Sequence, residues 1–200
     1  AEFIAYYLID REPTCSDLRQ NGEERGVDCG GECLRLCAID TRDLVVLWSR
    51  AFKVADGSYT GAAYLENPNP GAGSTRARYS LRLFDERNLL VAERVGETFI
   101  PPQRFIPIIE PNIATGNRIP VRAYIEFIEP LVFEKMPSSH VSVMTNALSE
   151  EAGRLEVTVK NVSKEDIENI TLAVVLFDEE GVGRAASKSV LPKLQRNLSE

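Results

Sequence analysis

From Asp43 onward, apolar and polar residues alternate in short runs separated by turn-forming clusters. A period of two puts successive side chains on opposite faces, so the pattern predicts strands rather than helices. The clearest runs are residues 44–48, 60–65, 78–84, 121–127, 155–159 and 171–177, and no segment carries a long amphipathic helical period. Trp48, the one tryptophan, falls on an apolar strand and is expected in a core.

The pattern also repeats. Asn67-Pro68-Asn69 ends one run and Asn161-Val162-Ser163 another 94 residues later; Phe84-Asp85-Glu86 and Phe177-Asp178-Glu179 are 93 apart; Gln103-Arg104 and Gln195-Arg196 are 92 apart. So steady an offset predicts duplication of one unit of about 93 residues. Each leading asparagine ends a strand, where its side chain can bond its own backbone and turn the chain. Phe84 and Phe177 are expected to plug the cores. The Asp and Glu after each start a hairpin turn that Arg87-Asn88 or Glu180-Gly181 completes.

After Gln103-Arg104 the first unit runs on to Phe133, whereas only Asn197 to Glu200 follow Gln195-Arg196. The second unit is therefore expected to lack one or two strands. Either the chain is a fragment, or a partner's strand or self-association through unit two fills the gap. The expected fold class is all-β: a small disulfide-rich N-terminal knot, then two immunoglobulin-like antiparallel β-sandwich units, the second incomplete at its C-terminal end. The boundaries are a tether remnant at 1–14, the knot at 15–37, unit one at 38–135 and unit two at 136–200.

Glu66 to Pro70, followed by Tyr79 to Asp85, resembles the late-embryogenesis-abundant, water-stress β-sandwiches. Val159 to Asp178 is similar to their relative, the FxLYD-type domain. The resemblance spans 43–200 through short motifs and implies a sandwich fold; fold alone does not give a function.

All four cysteines, Cys15, Cys29, Cys33 and Cys37, fall within 23 residues at spacing C-x13-C-x3-C-x3-C. So polar and glycine-rich a stretch cannot bury enough apolar surface to fold without a staple. Two disulfides are expected, with three pairings open. Metal–thiolate ligation, zinc or iron–sulfur, is the competitor, although no C-x2-C knuckle is present and the single histidine, His140, is distant. The run resembles the C-x-D-x3-N-G-x-E-x-x-V-D-C-G-G-x-C motif found beside membrane anchors in bacterial surface proteins. It matches at Cys15, Asp17, Asn21, Gly22, Glu24, Val27, Asp28, Cys29, Gly30, Gly31, Cys33 and Cys37, and departs at Leu18, where that family usually has glycine. The resemblance implies an extracytoplasmic location and no catalytic activity. Asp17, Asn21, Glu23, Glu24 and Asp28 also form a candidate calcium set, because calcium takes six to eight hard oxygens. Against it stand the absence of an EF-hand order and the ordinariness of acidic residues in a solvated loop.

Composition narrows the function. A net charge of -7 and a pI near 5.0 repel nucleic-acid phosphates, and Arg76, Arg78 and Arg82 are followed so closely by Asp85, Glu86 and Glu93 that they predict a solvated sheet face. Nucleic acid is not an expected partner. Residues 3–9 are apolar with an aromatic pair before Asp10-Arg11-Glu12, as at the water interface of a membrane helix, so a trimmed N-terminal anchor is expected. A first β-strand is the other reading.

Nothing assembles into a catalytic site. His140 lies beside Ser138 and Ser139 in one linker, no phosphate-binding loop is present, and the carboxylate pairs Asp85-Glu86 and Glu179-Glu180 occupy hairpin tips. Glycan acceptor sequons start at Asn161, Asn169 and Asn197. The sequence therefore points to a non-enzymatic, extracytoplasmic, membrane-tethered structural, adhesion or binding module facing a protein or glycan, with no cofactor except the calcium just considered. A water-stress protection protein and an accessory domain of a larger envelope protein are the alternatives.

Overall fold

The computed structural model describes residues 14–102, 104–137, 141–149 and 154–196. The apolar N-terminal segment, Ser138-Ser139-His140 and the sequon asparagine Asn197 lie outside them. Among the described residues there is no α-helix. A short 3-10 turn at Ala38–Asp40 precedes β1 (Val45–Ala55), β2 (Ser58–Glu66), β3 (Ala72–Phe84), β4 (Leu90–Ile100), β5 (Phe105–Ala114), β6 (Arg122–Phe127), β7 (Glu134–Lys135), β8 (Val141–Ser149), β9 (Arg154–Asn161), β10 (Ile167–Phe177) and β11 (Gly183–Leu194). The all-β expectation holds. All the predicted strands but β6, which starts one residue late, are longer than the predicted runs, and β4, β5, β7, β8 and β11 are additions whose mixed polarity blurs the alternation.

In unit one, two antiparallel sheets, β1-β2-β5 and β4-β3-β6, lie face to face, with β7 paired to the start of β3. Side chains of one parity fill the space between them: Ala63 and Leu65 of β2, Ala77, Tyr79, Leu81 and Leu83 of β3, Ile106, Ile108 and Ile113 of β5, Ile100 of β4 and Ile125 of β6. Leu65, Leu81, Leu83, Ile100 and Ile113 are wholly buried. Each such side chain contributes roughly 1.5–3 kcal/mol by leaving water. On the outer face of β3, Arg76 pairs with Glu97, Arg78 with Glu129, and Arg82 with both Glu93 and Glu126. The alternating arginines therefore form a solvated, charge-paired sheet face.

In unit two, β8 pairs with β9 and β10 with β11, and the β10-β11 hairpin repeats β3-β4 in detail. Leu83 faces Ala92 and Leu81 faces Arg94, as Leu176 faces Ala185 and Val174 faces Ser187. Both ladders slip at the same place, between Leu83 and Phe84 and between Leu176 and Phe177. The turns match as well. Asp85 Oδ1 accepts the N–H groups of Arg87 (3.0 Å) and Leu89 (2.9 Å); Asp178 Oδ1 accepts those of Glu180 (3.2 Å) and Val182 (2.7 Å). The left-handed residue each turn needs is Asn88 (φ 60°) in one and Gly181 (φ 75°) in the other, types that tolerate that conformation.

The knot closes through Cys15–Cys33 and Cys29–Cys37. It is hydrogen-bonded to unit one. Leu36 N–H donates to the Phe133 carbonyl (2.9 Å), Lys135 N–H to that of Leu34 (2.8 Å), and Lys135 Nζ to that of Gly31 (2.6 Å). Arg35 bridges Glu134 of β7, so the knot extends the β3 sheet through β7. Gly31 must be glycine: at φ 56° its missing Cβ would sit 1.8 Å from the Glu23 carbonyl oxygen.

Candidate functional site

Two places gather chemistry: the acidic loop of the knot, and the junction where unit two meets unit one.

In the knot, the acidic side chains hold the loop's own backbone. Both Asp28 oxygens accept the Leu18 N–H at 3.1 Å, and Glu24 Oε2 accepts those of Asn21 (3.2 Å) and Asp28 (3.4 Å). Asp17 accepts the Arg19 N–H at 2.9 Å and the Asn21 side-chain amide at 2.8 Å; that amide above all holds its carboxyl below the ordinary value. Glu23 points into solvent. Among the described residues no three carboxylates approach within 4.8 Å of one another. Of the candidate calcium set, Asp17, Glu24 and Asp28 thus act as acceptors within one loop, Asn21 donates to Glu24 and Asp17, and Glu23 stands apart. Cys15 and Cys33 do lie within that distance of Glu24, but their sulfurs are bonded to each other, which leaves no thiolate for zinc or a cluster.

Leu18 sits at φ 62°, a conformation that favours glycine, and is 82% exposed. A leucine there carries the steric cost of the left-handed region, roughly 1–2 kcal/mol, with no burial to offset it.

The junction is aromatic. Trp48 and Tyr64, cross-strand partners on the outer face of β1 and β2, stack with centroids 5.6 Å apart; Tyr64 stacks in turn on Phe105 at 5.7 Å. Phe177 of unit two meets Trp48 edge-on at 6.3 Å and Tyr64 at 5.4 Å. Arg50 lies over the Trp48 ring at 5.6 Å and donates to the Gly183 carbonyl at 3.0 Å. A Cβ on Gly183 would stand 2.9 Å from that ring, so glycine is what lets β11 approach. Beside the aromatics, Ala62 (0% exposed) and its partner Ile109 (2%) are buried although they face away from the unit-one core; β10 and β11 pack against β5 there. Next to Ile109 on the edge strand β5, Glu110 takes the opposite, inward face, accepts the Tyr79 hydroxyl proton at 2.5 Å and lies 3.8 Å from Lys188 of β11. Burial first, then Glu110, pushes the Tyr79 hydroxyl well above its ordinary range.

No protein-family model, curated protein or solved structure matches the chain. What the junction does is therefore read from its own geometry.

Two expectations are corrected here. Trp48 is not a core residue of unit one but the half-buried centre of the contact between units. Phe177 does not plug the unit-two core: the ladder slip at Leu176 turns it outward, where it is 43% exposed and touches unit one. Phe84 is likewise only half-buried, and Leu81 and Leu83 take the core role. Of the residues that sequence reasoning missed, Tyr64, Phe105 and Gly183, Tyr64 had a signal and the other two had none. The strands 60–65 and 171–177 are apolar on both parities, as strands covered on two faces are.

The sequon asparagines differ. Asn161 is 0% exposed, with its amide donating to the Glu165 and Leu194 carbonyls, so that position is closed to modification in the fold. Asn169 is exposed on β10 at φ 56°.

Proposed function

We propose that this chain is a non-enzymatic, extracytoplasmic structural module, tethered to a membrane on its N-terminal side, that holds stacked β-sandwich units in a fixed arrangement and presents their loops and edges to a protein or glycan. The observation that carries this reading is the continuous path of docking. The knot is hydrogen-bonded to β7, β7 to unit one, and unit one to unit two through Trp48, Tyr64, Phe177 and the Arg50–Gly183 bond.

A module that only linked two binding domains would need no such junction, since linkers leave their domains free to move. Two aromatic pairs across the junction, Trp48–Phe177 and Tyr64–Phe177, worth about 0.5–1.5 kcal/mol each beyond their burial, make a joint that resists bending. Two disulfides in a small polar segment support an oxidising compartment, where such bonds persist. The resemblance of residues 15–37 to a motif found beside membrane anchors supports the tether.

The test is topology in intact cells of the producing organism. Exported, oxidised protein that surface-applied protease degrades, and that sediments with membranes through its N-terminal side, supports the proposal. A reduced cytosolic pool contradicts it.

A further inference from the structure

A cleft opens where three strands meet. It holds about 510 Å³, a volume usual for small-ligand sites, and its walls include Arg50 and Phe52 of β1, Arg122 at the start of β6, and Gly183 and Arg184 at the start of β11. The docking of unit two completes it, since the Arg50–Gly183 bond brings β11 against β1. Among the described residues no carboxylate lines it.

The positive charge in this cleft is unmatched. Three arginines are half-buried among the described residues, and a charge taken out of water calls for a partner of opposite sign. Arg78 meets Glu129, and Arg82 meets Glu93 and Glu126. Arg50, the third, meets only the Gly183 carbonyl and the face of Trp48. Arg122 is exposed and forms no ion pair among the described residues, whereas Arg184 is already paired with Asp178 at 2.6 Å. Two uncompensated guanidinium groups therefore line one cleft of a chain whose net charge is -7.

The chemistry selects the ligand. The planar fork of a guanidinium fits the two oxygens of a carboxylate, and two arginines can share them. Phe52, half-buried and edge-on to Trp48 at 6.3 Å, adds an apolar wall for a ring. An acidic peptide would take a strand edge, and β1 and β6 are both edge strands among the described residues. That route is closed here, because the Ser49 hydroxyl donates to the Ala123 carbonyl across the two edges at 2.6 Å. We infer that the cleft binds the carboxylate of a uronic acid residue in an acidic glycan, with Arg50 and Arg122 on its oxygens and the sugar ring against Phe52. The inference rests on the glycan reading within the proposed function and names its ligand.

Calorimetric titration of the oxidised 200-residue protein tests it. The probes are short galacturonate and glucuronate oligomers, galactose and glucose oligomers as their neutral counterparts, and oligoglutamate as the acidic peptide. At least one uronate oligomer binds and its neutral counterpart does not. Arg122→Gln, and Arg50→Lys, which keeps the charge but not the fork, each weaken that binding at least about tenfold, as losing a hydrogen bond between charged partners does. Arg94→Gln, which alters an exposed arginine of β4 outside the cleft, leaves it unchanged. Urea midpoints equal to the parent's show that the variants fold. Failure of both uronates to bind overturns the inference, as does oligoglutamate binding at least as tightly, or an equal loss in Arg94→Gln. None of these results bears on export and tethering, which the topology experiment reads separately.

Discussion

Asn67 and Asn161 make the same hydrogen bonds 94 residues apart. Each is buried at the end of a strand and accepts at Oδ1 from the residue two positions on, Asn69 at 3.0 Å and Ser163 at 2.9 Å. Each donates to a carbonyl across its turn (Ala72 and Glu165, both at 2.8 Å) and to one at the far end of the next hairpin (Pro101 and Leu194). Replacing Asn67 by alanine removes its bonds to two carbonyls and to two Asn69 N–H donors, backbone and side-chain, and a buried orphan costs about 1–3 kcal/mol. Asn67→Ala and Asn161→Ala are each expected to lose on the order of 2–4 kcal/mol, read as a lowered urea midpoint at unchanged slope. Aspartate, with no N–H to give, is expected to do no better at either position. A loss under about 0.5 kcal/mol would show that the clasp is incidental.

That relationship was readable in part. The offset and the strand-ending role of the asparagines follow from residue types, as do the Asp85 and Asp178 turns and the arginine-bearing face of β3. Burial of the asparagine amides did not, because it depends on strands more than 30 residues away meeting the turn. The outward placement of Trp48 and Phe177 was hidden for a similar reason: alternation separates two faces but does not say which neighbour covers each. Nor does spacing choose among three pairings of four cysteines; here Cys15–Cys33 and Cys29–Cys37 follow from where the glycines let the loop fold back.

Leu18 sits where a glycine belongs. Leu18→Gly relieves roughly 1–2 kcal/mol of left-handed strain. It gives back about 0.4–1 kcal/mol through the freer unfolded chain, so a net gain on the order of 0.5–1 kcal/mol is expected in thermal unfolding of the oxidised protein. Leu18→Ala keeps the Cβ and gains nothing. If both variants behave alike, the strain is not real.

Acid acts on the two hairpin turns. The carboxyls of Asp85, through Arg118 first and the Leu89 N–H next, and of Asp178, through the Val182 N–H first, are held below their ordinary value of 3.8. As pH falls, the unfolded chain takes up protons before the folded one. The stability these groups contribute is therefore complete above pH 3.8 and is lost as pH falls through the lower folded values. The double variant Asp85→Asn, Asp178→Asn is expected to start less stable at neutral pH and to show a shallower acid slope. An unchanged slope would assign acid sensitivity elsewhere.

Alkali acts on Tyr79, whose hydroxyl is raised from 10.0 by burial and by Glu110. Its contribution is complete below pH 10 and is lost as pH rises beyond it. Tyr79→Phe is expected to flatten the alkaline limb of the stability curve, with some loss at neutral pH because Glu110 gives up its partner. A limb that survives the substitution contradicts the assignment.

The central claim is that unit two is docked on unit one, and the single tryptophan stands at the contact. The most direct measurement is Trp48 emission and its quenching by iodide, in the native protein and in Phe177→Ala. The docked arrangement predicts a blue-shifted, partly shielded emission that moves to the red and becomes several-fold more quenchable when Phe177 is removed, while the unit-one core keeps its hydrogen-exchange protection. Identical emission and quenching in the two proteins would contradict the docking.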